Sequence, residues 1–120
     1  MSDGLAEFSR VSDRAFQALI ALLADESPDV RGQAVWNLGN LKSRAKETVP
    51  LLIGRLQDED DWTRRRAVFA LGQIGPDAKD AVPALTKLTG NNDPLAQEAT
   101  EALKKIELPN SRDPGAHRRD

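Results

Sequence analysis

The chain of 120 residues has no cysteine and a single histidine, His117. Without cysteine there are no disulfides and no thiolate metal sites, a composition compatible with any compartment. With its only imidazole near the C-terminus, outside the periodic region described below, a His-based metal site or a nucleophile–His pair cannot be assembled in the folded part. No glycine-rich phosphate loop follows a strand pattern. No apolar run approaches the roughly 18 residues of a membrane span. The opening MSDGLAEFSR lacks the basic start and apolar core of a secretory signal, so a cytoplasmic protein is expected. The net charge is −2, so any site for a polyanion would have to be local. Apolar content of 39% with 30% charged residues fits one soluble globular domain.

What is present is a repeat. Val30 to Leu41 reads VRGQAVWNLGNL and returns 33 positions later as TRRRAVFALGQI, Thr63 to Ile74. The echo extends outward at the same offset, from Leu19, Ile20, Leu23, Asp25 and Pro50 to Leu52, Ile53, Leu56, Asp58 and Pro83. A weaker third copy places Leu95, Ala99, Leu103 and Ile106 a further 32 residues on. Such self-similarity marks stacked supersecondary units, none of which can bury its apolar face alone.

Cap and breaker residues divide the repeats into helix pairs, and the expected fold is all-α. Ser12 caps a first helix running to about Leu23. Ser27 caps a second with Pro28 at its first position. Lys42 to Glu47 reads as a polar connector, and Thr48 opens a third helix with Pro50 in its first turn. Trp62 to Ile74 is the fourth helix, stopped by Gly75-Pro76. Asp80 caps the fifth, with Pro83 in its first turn. Asp93 caps the last, with Pro94 at N1, which runs to about Leu108. The expected units are residues 12–43, 44–76 and 77–108 of one domain spanning 12–108. Residues 1–11 are either a tail or, through Leu5 and Phe8, the stump of an earlier capping helix. Residues 109–120 carry no apolar anchor and are expected to be a disordered tail.

On a helical wheel Val30, Ala34, Leu38 and Leu41 fall within a sector of roughly 80°, a stripe that must pack on the preceding helix. Gln33 and Val35 point sideways to neighbouring units, and Gly39 allows a close helix approach. The opposite side holds Gly32, Trp36 and Asn40 in the first unit, Arg65, Phe69 and Gln73 in the second, and Gln97, Glu101 and Lys105 in the third.

The pattern Asp25…Val30-Arg31…Ala34-Val35…Leu38-Gly39…Leu41, repeated from Asp58 to Ile74, resembles HEAT repeats of the bilin-lyase-like class. Pro50 and Pro83 stand where that family has its first-helix proline. Gln17 replaces the proline in the first unit, and Gly90 and Ala96 replace the Asp and Arg in the third, which therefore looks like a terminal cap. Ankyrin and tetratricopeptide repeats would need landmarks that are absent. The resemblance implies an α-α superhelix of three antiparallel helix pairs, with the second helices lining a concave surface. It implies an interaction scaffold. Some relatives are subunits of tetrapyrrole-handling enzymes, some are di-iron hydroxylases and some bind nucleic acid; the His-Glu pairs of the di-iron relatives are missing here. It also implies that Arg31 and Arg64 are structural, forming a ladder of charge-assisted hydrogen bonds between units.

Trp36 and Phe69, at equivalent positions away from the core stripe, should lie side by side on that concave face, with Trp62 near its rim. They either form a binding hot spot or fill the inner curve. Arg65 and Arg66 are either a solvated face or a contact for an acidic partner. The acids from Asp58 to Asp61 read as capping and solubility features rather than a catalytic pair. The expected function is a non-enzymatic protein-binding module or assembly subunit without a cofactor, using Trp36, Phe69, Trp62, Arg65, Arg66, Gln33, Asn40 and Gln73. The alternatives are an accessory subunit of a tetrapyrrole (bilin) lyase and a phosphate-backbone binder using Arg65, Arg66, Lys42, Arg44 and Lys46.

Overall fold

Ser27 and Asp60 set the starts of two second helices. The Ser27 Oγ accepts the backbone N–H of Val30 at 3.4 Å, and Asp60 Oδ2 accepts that of Thr63 at 2.8 Å. Each satisfies a donor that the first helical turn leaves without an internal partner. Between and around these caps, a computed structural model describes residues 13–90 and 92–107. The order is α1 (residues 13–22), α2 (Pro28–Gly39), α3 (Ala45–Arg55), α4 (Asp61–Ile74), α5 (Val82–Leu88) and α6 (Ala96–Glu107). Short 3₁₀ segments, Lys42–Arg44 and Gly75–Ala81, lead into α3 and α5. No strand occurs among the described residues. The fold is an all-α superhelix of three helix pairs. No described helix is long and apolar enough to cross a membrane. Ser12, the stretch 1–11 and the tail 109–120 lie outside the described residues.

Expected helix starts move. The connector Lys42–Glu47 is instead a 3₁₀ turn followed by the first residues of α3, and Thr48 is buried inside that helix, its hydroxyl turned to the Ala45 carbonyl. Burying Ala45 and Thr48 together favours the longer helix. Pro50 then sits in its interior, tolerated on the exposed side, where the carbonyl it deprives of a donor can meet water. Likewise Asp80 does not cap α5; it lies within the 3₁₀ segment that runs directly into it. The last helix also starts late. Asp93 Oδ1 accepts the N–H of Leu95 at 2.9 Å in a turn containing Asn92 at φ 57°, and α6 begins at Ala96. Gly75 ends α4 at φ 80°, a backbone that side-chain-bearing residues rarely adopt.

The apolar stripe builds the core as the wheel requires. Ala34, Leu38, Ala67, Leu71 and Ala99 are fully buried against Phe16, Leu52 and Leu85 of the first helices. Val35 and Val68, which point sideways, are buried in the same core. The second helices α2, α4 and α6 form one layer in which Gly39 and Gly72 each receive a neighbour's alanine. A Cβ placed on Gly39 would lie 2.6 Å from the Ala70 Cβ, and one on Gly72 would lie 3.1 Å from that of Ala102. This spacing brings the outward side chains of adjacent second helices into contact.

Candidate functional site

The seam between the first two units is closed by Asp58. Arg31 grips it with two bonds, Nε to Oδ2 at 2.9 Å and Nη2 to Oδ1 at 3.0 Å, while its Nη1 donates to the carbonyls of Asp25 and Glu26. Arg55 donates to the same carboxylate at 3.1 Å, and so does the backbone N–H of Asp60 at 2.9 Å. Burial pushes the Asp58 carboxyl up, but the bonds from Arg31 and the Asp60 N–H outweigh it and hold the pKa below the ordinary value. The first rung of the expected ladder therefore exists. Arg64 does not make the second. It donates to the carbonyl of Asp58 at 2.6 Å and pairs with Asp61, both in its own unit. The third unit places Gly90 where an acid would be needed.

On the open face of the second-helix layer, away from the first helices, the aromatics form a row. Trp36 and Phe69 stack with ring centroids 5.5 Å apart and planes 7° from parallel. The Arg66 guanidinium lies 4.0 Å from the Trp62 ring and 5.4 Å from that of Trp36, two cation–π contacts to rings on different helices. At the other end the Lys105 ammonium sits 5.6 Å over Phe69. The contacts link Trp62, Arg66 and Phe69 of α4 to Trp36 of α2 on one side and Lys105 of α6 on the other. Trp62 is not on a separate rim. It lies over α2 because Gly32 has no side chain there; a Cβ on Gly32 would come within 2.5 Å of the indole.

Of the residues expected at the site, Trp36, Phe69, Trp62 and Arg66 are thus brought together. Asn40 and Gln73 are exposed one turn further along their helices. Gln33 is exposed at the position that Arg66 holds one repeat later. Arg65 already has a partner, since its Nη1 lies 2.9 Å from Glu98 Oε2 of α6. Glu98 was missed, although it stands 33 residues after Arg65, the offset that also relates Trp36 to Phe69. Both members of the pair are substantially exposed, so Arg65→Ala is expected to change stability by less than about 1 kcal/mol in a urea melt. A larger loss would show that this pair fastens the third unit. Arg44 is also occupied, by Asp13, by Glu47 and by the face of Phe16 at 4.0 Å. Of the five cations that a phosphate-binding site would use, two are therefore already matched by carboxylates.

The family model for HEAT repeats matches residues 16–104. No curated protein matches the chain. Members of this family are generally protein-interaction scaffolds. With its stacked helix pairs, its glycine-to-alanine contacts within the second-helix layer and this match over most of its length, the chain belongs to the HEAT-repeat family.

Proposed function

We propose that the chain is a non-catalytic module that binds a partner protein on the open face of its second helices, the concave side of a HEAT solenoid. One observation carries this reading. Trp36, Trp62 and Phe69 remain 37%, 39% and 41% exposed, while smaller aliphatic residues fill the buried apolar positions of the same helices. Among the described residues the only other large hydrophobic exposed to this degree is Leu22. Contiguous exposed aromatics bracketed by cations are the composition of interface hot spots. Asn40 and Gln73, side by side at the repeat offset, add amide donors and acceptors suited to the backbone of an extended segment.

The rings are held by each other and by Arg66 rather than by the core, so binding and stability separate. Trp36→Ala and Phe69→Ala are each expected to weaken partner binding by about 2 kcal/mol. The stability cost should stay at about 2 kcal/mol, one stacked pair plus a part-buried ring, below the cost of emptying a core position. The partner is obtained by co-purification with the intact chain, and its affinity is then measured for both variants. Unchanged affinity in a folded variant would remove the site from this face.

A further inference from the structure

The aromatic row stops one rung short of the third unit. Trp36 and Phe69 share a position in the repeat, and its third occupant is Glu101, which has no ring. One face of Phe69 is covered by Trp36. The face towards α6 borders a concavity of 430 Å³, with Gly72 and Ala102 at its base and Gln97, Glu101 and Lys105 along its far wall. That volume admits one large side chain, and the Phe69 ring lines one of its walls.

The charges around it are unequal. The acids are matched, Glu98 by Arg65 at 2.9 Å and Glu101 by Lys104 at 3.7 Å. The two cations beside the rings are not. Among the described residues Arg66 and Lys105 have ring faces beside them and no carboxylate within ion-pair distance. Arg66 is also held in place by two indoles, so little freedom is lost when its donors are used.

The geometry points to a short acidic peptide segment carrying an aromatic side chain as the occupant of this face. This rests on the reading of the face as a protein-binding surface. The partner's ring enters the concavity and stacks on Phe69 in place of the Lys105 ammonium, which turns from the ring to a carboxylate of the peptide. Its carboxylates, on either side in sequence, meet Arg66 and Lys105. Arg66 and Phe69 lie one turn apart on α4, and Lys105 sits 5.6 Å from the Phe69 ring, so a short extended segment can reach both cations. A basic peptide would bring like charge to both cations. A nucleic acid fits less well, because the rings already cover one another and leave no series of free faces on which bases can stack.

The test is selection of random peptides of about twelve residues, displayed on phage, against the full chain, followed by calorimetric titration of the enriched peptides. The expected result is enrichment of Asp and Glu around one aromatic residue. Binding should weaken about tenfold or more in Arg66→Gln and in Lys105→Gln. It should also be lost in Glu101→Phe, where the chain supplies the ring itself. Enriched peptides that are basic, or that lack an aromatic, overturn this inference; if Phe69→Ala still abolishes their binding, the protein-binding face survives. Peptides indifferent to Phe69→Ala, or no enrichment, overturn both. A single-stranded oligonucleotide binding more tightly than any peptide also overturns the inference.

Discussion

Asp58→Ala is expected to lower the stability of the chain by about 3 kcal/mol, a large share of the roughly 5–15 kcal/mol that holds a domain together. The carboxylate is 2% exposed and is the common acceptor for Arg31, Arg55 and the Asp60 N–H. Removing it leaves the Arg31 guanidinium, itself 8% exposed, with only two carbonyls. The backbone turn that opens α4 loses its acceptor at the same time. Asp58→Asn, which keeps the shape but not the charge, should fall between this variant and the native chain. A loss below about 1 kcal/mol would show that the seam is held by apolar packing alone. Acid provides an independent reading. Because the folded pKa is depressed below that of an ordinary aspartate, the unfolded chain takes up the proton first as pH falls. The contribution of Asp58 is therefore complete above that value and is lost as pH drops through the folded pKa. Stability plotted against pH should have a shallower acid limb in Asp58→Asn than in the native chain.

Gly39→Val should cost about 3 kcal/mol, at the upper end of overpacking effects. The first carbon added at this position would lie 2.6 Å from the Ala70 Cβ and 3.3 Å from its Cα, so relief requires moving α4 and not merely turning a side chain. The exchange Gly39→Ala with Ala70→Gly tests the same contact with its volume conserved. Gly39→Ala alone sets a gain of about 1 kcal/mol in helix propensity against the clash, and the paired change should recover most of what the clash removes. Equal stability of Gly39→Val and the native chain would mean that the layer spacing is set elsewhere.

How far the sequence reaches can be judged residue by residue. The 33-residue offset was enough to align Trp36 with Phe69, because side chains at that offset on adjacent second helices face one another. Arg65 and Glu98 also stand 33 residues apart, one more than the 32-residue offset of the third unit, so the pair could have been found by looking for opposite charges within a residue of one repeat. Gly39 was readable as a close approach because its place on the wheel leaves no other use for a missing side chain. The seat of Trp62 on Gly32 was not readable. Their separation follows from the stagger of α2 against α4, which the repeat offset does not encode. The starts of α3 and α5 were misplaced for a different reason. Thr48 and Asp80 have good capping side chains, but the chain before them can coil, and local signals lose when a continuous turn buries Ala45, Ala78 and Ala81. The repeat also implied an inter-unit role for Arg64 that depends on its neighbour. An arginine can bridge two units only where the next one supplies an acid.

The row of aromatics also gives this face its own optical signature. The chain has two tryptophans and no tyrosine, so excitation at the red edge of the indole band reports on Trp36 and Trp62 alone. Both flank Arg66 and neither belongs to the buried core. Emission colour and quenching therefore read the state of the aromatic row directly and the helical core only indirectly. Without any attached dye, the protein carries a pair of native probes on the surface where its partner is proposed to sit.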